Sequence, residues 1–341
     1  MARYFNRASS LRGLRDLAAE AGADLAPVMR KIGLRADLLR KPEERVEFAA
    51  ICALFEQCAL DWNMPDLGLR MAPFQHLDML GPVALVTRMS SDLREALTSM
   101  TANLIIHSNA IVATLEEEAD TAALTIEVQP VPSGTRQYSF ASVGVARNVL
   151  EQAGTGRVDL VEVLFSHDAA EVRGTAESIF RCPVRFGSER NALYFDRSAL
   201  DRPIERSDVA YHALIERYLT TARREVAGRA SDEARFEIAR QMEFGGCTLE
   251  SVAQSLRLEP RSLQRRLKRE GLTFRDLVDG WRRTRALSLV TNTRLPLGEV
   301  SLALGYSEQS IFSRAFQRWY GKAPLAYRYE DAAPAGPMAP S

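Results

Sequence analysis

Two segments in the last third of the chain repeat one pattern of residues at an offset of 48 positions. LESVAQSLRLEPRSLQRRLKRE begins at Leu249 and LGEVSLALGYSEQSIFSRAFQRWY begins at Leu297, with one residue inserted in the second turn. Each copy predicts a short helix, a tight turn and a second helix, which is the layout of a helix-turn-helix. Apolar residues at matching positions predict the contacts that hold each helix pair together: Val252, Leu256, Leu263 and Leu267 in the first copy, and Val300, Leu304, Phe312 and Phe316 in the second.

Capping residues, prolines and glycines around the repeat predict an all-α domain of seven helices over residues 229–330. Ser231, Thr248, Thr273 and Ser307 are predicted N-caps, and Pro260 and Pro296 stand where helices open. Glycines close several of the same segments. The predicted helices are Ser231 to Gly245, Leu249–Leu256, Arg261–Glu270, Phe274–Thr291, Pro296–Leu304, Glu308–Tyr320 and Leu325–Tyr329.

The outward face of each second helix carries side chains that can read DNA. Arginine grips guanine in a bidentate manner, glutamine does the same for adenine, and serine reaches bases or phosphates. A connecting helix of about 18 residues is near 27 Å long. This length would allow the second helix of each copy to enter one of two successive major grooves, which are about 34 Å apart. A solvated charged face would explain one copy but explains two copies at a fixed repeat poorly. The candidate DNA-binding residues are Arg261, Ser262, Gln264, Arg265 and Arg269, and Gln309, Ser310, Ser313, Arg314 and Arg318.

The zero net charge of the chain is the sum of two unlike parts. The chain has 44 Lys and Arg against 44 Asp and Glu. Residues 229–330 hold 18 basic and 12 acidic residues, a net of +6, which leaves 26 basic and 32 acidic residues elsewhere, a net of −6. Such asymmetry favours a nucleic-acid-binding module joined to a different domain, although an excess of this size also arises by chance.

Composition excludes several classes of protein. The chain of 341 residues is 46% apolar, enough for a sizeable core, and it has neither a long apolar run nor the apolar core of a secretory signal. Its first 22 residues are interpreted as the first helix. The four cysteines form no C-x-x-C pair and the four histidines are isolated, so we expect no disulfide framework, metal site or cofactor, and a reducing, cytoplasmic location.

Residues 1–206 predict an α+β domain with a helical start, in which residues 9–60 follow a helical rhythm. A ββαβαββ order with a mainly antiparallel sheet follows. Residues 207–228 are predicted to be a linker helix and 331–341 a disordered tail. The predicted elements are a hairpin of Ile111–Leu115 and Ala122–Val128, a helix Ser139–Gln152, a strand Leu160–Phe165, a helix Ala169–Phe180 and a second hairpin of Val184–Phe186 with Ala192–Phe195.

Residues 229–330 resemble the DNA-binding domain of the AraC/XylS family of bacterial transcription regulators. The resemblance lies in RRTRALSLV (282–290), LPLGEVSLALGYSEQSIFSRAFQRWYGKAP (295–324) and AYR (326–328). The first motif departs from the family pattern at Arg257, where the family usually has glycine. The resemblance implies that Arg261, Gln264 and Arg265, and Gln309, Ser310 and Arg314, occupy positions that contact bases or the DNA backbone.

The first two hundred residues resemble the arabinose-binding-like sensor domain of one branch of the same family. The resemblance lies in DLGLRMA (66–72), LGPVALVTRMSSDLREAL (80–97), VEVLFSH (161–167) and FRCPVRFGSERNALYFDRSALDRPI (180–204). It does not imply that arabinose is the ligand, because the helical start differs from the β-barrel sensor of the founding member.

These resemblances imply a sequence-specific regulator of a metabolic operon, an activator in the usual mode of the family. Its partners would be promoter double-stranded DNA, RNA polymerase, an unknown small-molecule effector and a second copy of the chain, and no membrane. No nucleophile elbow, dinucleotide or phosphate loop or paired-carboxylate site is found, so we expect no catalytic residue. The alternative is a ligand-binding protein or enzyme whose helical C-terminus serves only assembly. Within the regulator class, a repressor rather than an activator is a narrower alternative.

Overall fold

An antiparallel ribbon, rather than the predicted first helix, opens the described chain. The computed structural model describes residues 4–129, 131, 134–153, 156–205, 208–227, 230–242 and 246–331. Strand β1 (Phe5–Arg7) pairs with β2 (Arg45–Glu47), so the helical rhythm predicted for 9–60 is also interrupted. Three residues are too few to produce a recognisable strand period, and the pairing that fixes them spans about forty positions.

Six helices form most of the N-terminal layer before the main sheet begins. On α3 the residues Phe48, Ile51, Phe55 and Cys58 are fully buried, spaced so that they share one helix face. Asp92 caps α6 by accepting a hydrogen bond of 2.8 Å from the N–H of Glu95. The helices are α1 (Leu14–Glu20), α2 (Leu25–Ile32), α3 (Phe48–Asp61), α4 (Leu67–Met71), α5 (Pro82–Met89) and α6 (Leu93–Asn103).

The main sheet is mixed and has the strand order β3-β4-β7-β5-β6. The predicted first hairpin is confirmed, but the second is wrong, because β7 lies between β4 and β5 while β6 pairs in parallel with β5. A two-residue strand has too few side chains to fix its own partner, so β5 decides where it lies. The strands are β3 (Ile111–Glu117), β4 (Thr121–Val128), β5 (Leu160–Leu164), β6 (Val184–Arg185) and β7 (Asn191–Asp196).

One long helix, α7 (Arg136–Gln152), joins the sheet to the N-terminal helices. It contacts α4 so closely that a Cβ at Gly68 would lie 2.0 Å from the backbone oxygen of Gln137. The Gln137 side chain accepts a bond of 2.9 Å from the N–H of Gly68. Helix α8 (Arg173–Phe180) packs against the short strand β6. The sheet is therefore covered on one face by helices of its own domain.

Helix α9 (Val209–Ala227) lies within the segment predicted as a linker helix. It contacts α5 and α6, and its Leu219 is fully buried. The boundaries predicted at 206/207 and 228/229 fall outside the described residues, as does the tail beyond Asp331. This part of the chain is thus packed along the N-terminal domain rather than spanning open solvent.

The described C-terminal segment is helical, and its caps were predicted with mixed success. Thr248 and Thr273 form capping boxes as predicted. Ser231 and Ser307 are not the caps: the carboxylate of Glu270 accepts from the N–H groups of Ala230 and Ser231, and Glu308 is the N-cap of α15. The helices are α10 (Ala230–Met242), α11 (Leu249–Ser255), α12 (Pro260–Arg269), α13 (Phe274–Asn292), α14 (Leu297–Ala303), α15 (Gln309–Tyr320) and α16 (Pro324–Asp331).

Candidate functional site

Helices α12 and α15 are each anchored by a fully buried apolar face. In α12 this face is made by Leu263 and Leu267 against α11, and in α15 by Phe312 and Phe316 against α14 and α16. Burying four such side chains contributes about 1.5–3 kcal/mol each, which fixes the helices firmly enough to present a defined outer surface. Leu256, one of the predicted contacts, is only partly buried.

The predicted DNA-binding residues lie on the outer surfaces of these two helices. Ser262 and Ser313 are half-buried, and the other eight side chains are exposed. Among the described residues, no acidic group is paired with the arginines of α12, whereas most arginines of the N-terminal domain are engaged in ion pairs. The exposed predicted residues are Arg261, Gln264, Arg265 and Arg269 on α12, and Gln309, Ser310, Arg314 and Arg318 on α15.

Sequence reasoning missed three polar residues on the same surfaces. Arg266 and Lys268 on α12 and Gln317 on α15 are exposed beside the predicted set. A helical projection around the buried leucines and phenylalanines would have found them, because every position off the buried stripe of such a helix faces solvent. The outer surface of α12 thus carries five basic side chains.

The turn of the first unit is built on an unusual residue. Arg257 has a φ of +54°, and Gly305, its counterpart 48 positions later, has a φ of +74°. A left-handed residue here lets the chain reverse between two helices, which is why glycine is common at such positions. The departure at Arg257 therefore leaves the turn geometry intact and places a Cβ where glycine would be unstrained.

Cation–π contacts and backbone hydrogen bonds brace the second unit. The Arg282 guanidinium lies 5.4 Å from the Tyr306 ring centroid, and the Tyr320 hydroxyl donates to the carbonyl of Arg283 over 2.8 Å. Arg328 on α16 donates to the carbonyls of Val290 and Leu295, which closes the end of α13. Residues of the motif RRTRALSLV thus hold the second helix-turn-helix unit in place through these contacts.

A cavity lies in the N-terminal domain between α7, the strands β3 and β4, and the helices that precede them. Its free volume is about 60 Å³, and part of the space is open to solvent. Its sheet wall is formed by Ile111, Ala113, Leu124 and Ile126, and its helical wall by apolar residues of α7.

A few neutral polar groups interrupt the apolar lining of this cavity. Tyr138 lies between two rings, at 4.8 Å from Phe48 and 5.8 Å from Phe55, and its hydroxyl is bonded to the Asn6 side chain. His107 also lines the cavity, and its buried Nδ1 has no hydrogen-bond partner in the described chain. Burial, aided by the charge of Arg7, lowers the pKa of His107 to about 3, so the ring is neutral at pH 7.

The opposite face of the same two strands contacts the C-terminal domain. Val112 packs beside Phe236 and Ala239 of α10. Its partner across the ladder, Glu127, pairs with Arg285 of α13 at 3.8 Å between Oε1 and Nε, and both side chains are largely buried. Because strand residues alternate between faces, β3 and β4 line the cavity on one side and touch the helix-turn-helix domain on the other.

The described residues contain neither a metal-binding cluster nor a membrane-spanning helix. No group of three or more His, Cys, Asp or Glu side chains that could hold a metal ion occurs in the parts of the chain the structure describes. Of the helices described, none has the length and apolar character needed to cross a membrane.

Comparison with known proteins identifies both halves of the chain. Residues 22–204 match the N-terminal arabinose-binding domain of AraC transcription regulators, and residues 252–330 match a helix-turn-helix domain. The chain is 30% identical over 328 residues to the HTH-type transcriptional regulator VirS of Mycobacterium tuberculosis, covering 94% of this chain and 96% of that protein. It is 28% identical over 323 residues to the ornithine utilization regulator of Pseudomonas aeruginosa, covering 92% and 94%.

Among solved structures, the chain is similar to the transcriptional regulator CdpR from Pseudomonas aeruginosa, at 24% identity and a TM-score of 0.45, covering 89% of this chain and 96% of that one. The family match spans more than half of the sequence, and the match to VirS runs through both domains. The chain belongs to the AraC family of transcription regulators, with an arabinose-binding-like N-terminal domain followed by a helix-turn-helix DNA-binding domain.

Proposed function

We propose that this regulator binds promoter DNA through the outer faces of α12 and α15 and activates a metabolic operon when its N-terminal domain binds a small effector. The chain acts in the cytoplasm, is not an enzyme, contacts RNA polymerase and works as a homodimer. The working units are a sensor, residues 1–206, a connecting helix, 207–228, and a DNA-binding domain, 229–330.

The observation that carries this proposal is the pair of matched helices with buried inner faces and exposed Arg, Gln and Ser outer faces. Helix α13 has 19 residues, which corresponds to about 28 Å. Helices α12 and α15, joined by a helix of this length, can lie in adjacent major grooves on one side of the duplex.

The test is binding of the full chain to DNA fragments from upstream of its own gene, measured over a salt series. We expect affinity to fall steeply as salt rises, because each phosphate contact releases a counterion. A length-matched fragment from within a coding region serves as the control and should bind more weakly at every salt concentration. Equal binding to both fragments, or binding independent of salt, would contradict the proposal.

Two substitutions examine the proposed reading residues. We expect Gln264→Ala and Arg314→Ala each to weaken binding to the specific fragment by about 1–3 kcal/mol, because each removes a donor set aimed at a base edge. Arg15→Ala, a change of an exposed residue on α1, is the control and should leave affinity unchanged. If both variants bind the specific fragment with wild-type affinity, α12 and α15 do not form the DNA interface.

A further inference from the structure

None of the described residues that line the cavity in the N-terminal domain has a charged side chain. Its walls are formed by aliphatic residues, by Phe55, and by the neutral polar residues Ser10, Gln75, Tyr138 and Ser142. A charged ligand would lose its hydration here without gaining an opposite charge, and such burial is strongly unfavourable. The lining therefore selects against carboxylates, ammonium groups and zwitterions.

Most polar groups of the lining are already engaged within the protein. The Ser10 hydroxyl donates to the carbonyl of Arg7, the Gln75 amide to the carbonyl of Ser10, and the Ser142 hydroxyl to the carbonyl of Tyr138. A sugar with hydroxyls on every carbon would find too few free partners here. The cavity thus differs in chemistry from a site built for a polyol.

One lining residue, His107, has a buried nitrogen without a hydrogen-bond partner in the described chain. His107 is hydrogen-bonded to the carbonyl of Met79, but its Nδ1 has no partner in the described chain, and the residue is only 2% exposed. A buried nitrogen acceptor without a donor is unfavourable, and a ligand hydroxyl that donates to it would restore the missing hydrogen bond. Met79 and Met100 flank the same space, and methionine adapts its shape readily to a guest.

We propose that this cavity is the effector site and that it takes a neutral, largely apolar molecule carrying a hydroxyl group that donates to Nδ1 of His107. This inference rests on the proposed function, since it assigns the effector of the same regulator. Ornithine, which appears in the name of one relative, and arabinose, which appears in the name of the matched domain, lie outside this class.

The experiment uses the full chain and four probes with the same ring: benzyl alcohol, toluene, benzoate and benzylammonium, with L-ornithine and L-arabinose as further arms. Binding is measured by calorimetry and by the shift in Tm. We expect benzyl alcohol to bind at least tenfold more tightly than benzoate, benzylammonium, ornithine or arabinose. Tighter binding of any charged probe or of arabinose would overturn the proposal.

Variants locate the binding in the cavity. Ala146→Phe fills it and should abolish benzyl alcohol binding, with Val145→Phe as a second filling variant. Val143→Leu changes the same helix at a fully buried position outside the lining and should keep the binding. His107→Leu should weaken benzyl alcohol at least fivefold but leave toluene unchanged. Binding that survives both filling variants would place the ligand elsewhere and overturn the proposal.

Operator binding without any probe, measured on the same preparations, separates this inference from the proposed function. If the chain binds its promoter in a salt-dependent manner but the charged probes bind as well as benzyl alcohol, only the assignment of the cavity fails. If promoter binding itself is absent, the regulator proposal fails whatever the probes do.

Discussion

At the scale of single residues, the turn of the first helix-turn-helix stores strain at Arg257. Its φ of +54° is a left-handed conformation that costs an L-residue with a side chain roughly 1–2 kcal/mol. We expect Arg257→Gly to raise the free energy of unfolding of the C-terminal domain by about 1 kcal/mol, because glycine adopts this φ without a steric penalty. The check is the Tm of that domain's transition by calorimetry.

Arg257→Ala is the matched control, because alanine keeps the Cβ and therefore the strain. The guanidinium of Arg257 also lies near Arg223, whose pKa is lowered by burial and, to a smaller extent, by this charge. A gain of equal size in the alanine and glycine variants would show that charge repulsion, rather than backbone strain, is relieved.

His107 makes the stability of the N-terminal domain sensitive to acid. Its pKa is about 3 in the folded chain and about 6.5 in an unfolded one, so the unfolded chain binds the proton first as pH falls. The free energy of unfolding should therefore drop by about 2 kcal/mol between pH 7 and pH 5 from this residue alone. Hydrogen exchange of α7 across a urea series at the two pH values measures the drop.

In the His107→Gln variant this part of the drop should disappear, since glutamine does not titrate. The exposed His76, changed to Gln, should leave the wild-type drop in place. Equal pH dependence in wild type and His107→Gln would contradict the expectation. His167 adds an effect of the same sign and of nearly the same size over this pH range, because burial lowers its pKa to about 4.

At the scale of elements, local signals predicted what local forces control. Thr248 and Thr273 cap their helices as predicted, because a cap is settled within three residues of sequence. The prediction that Ser231 is an N-cap was wrong, because the first N–H groups of α10 donate to the carboxylate of Glu270, about forty positions away. The second hairpin failed for the same reason: β6 and β7 are neighbours in sequence, but their partners are chosen by β5 and β4.

The candidate DNA surface was predictable because the buried stripe of an amphipathic helix defines its exposed side. The cavity was not, because its lining combines residues from Ser10 to Val149 that share no spacing. His107 and Tyr138 lie about thirty positions apart in the sequence, and only the fold brings them to one space. Periodicity in the sequence predicts individual helices and strands, whereas a cavity is formed by the packing between them.

The distant cap of α10 gives a prediction at this scale. We expect Glu270→Ala to destabilise the start of α10 by about 1 kcal/mol, since two backbone donors lose a charged acceptor at the positive end of the helix. Amides of residues 230–233 should exchange several-fold faster. Glu270→Gln keeps one acceptor oxygen and should show an intermediate rate, whereas an unchanged rate in the alanine variant would rule out the cap.

At the scale of the whole molecule, the two domains meet through a largely buried ion pair. Glu127 on β4 and Arg285 on α13 have side chains that are 7% and 13% exposed. Removing one partner leaves a buried charge, which commonly costs 3–5 kcal/mol. We expect Arg285→Gln to open the interface rather than bear this cost, with a larger radius of gyration in X-ray scattering.

The double variant Glu127→Gln, Arg285→Gln removes both charges and should return the radius of gyration towards the wild-type value. A second contact, between Arg294 and Asp168, supports the same interface and is unchanged in this test. Identical scattering from wild type and Arg285→Gln would mean that this ion pair does not hold the domains together.

The two-sided arrangement of β3 has a consequence for how the chain tolerates changes in length. Ala113 and Ile126 face the cavity while Val112 and Glu127 face α10 and α13. Inserting one residue in the strand would exchange the two sides and damage the sensing wall and the domain contact together. An insertion of two residues would return each side chain to its original face of the sheet. We therefore expect this strand to tolerate changes in length only by even numbers of residues.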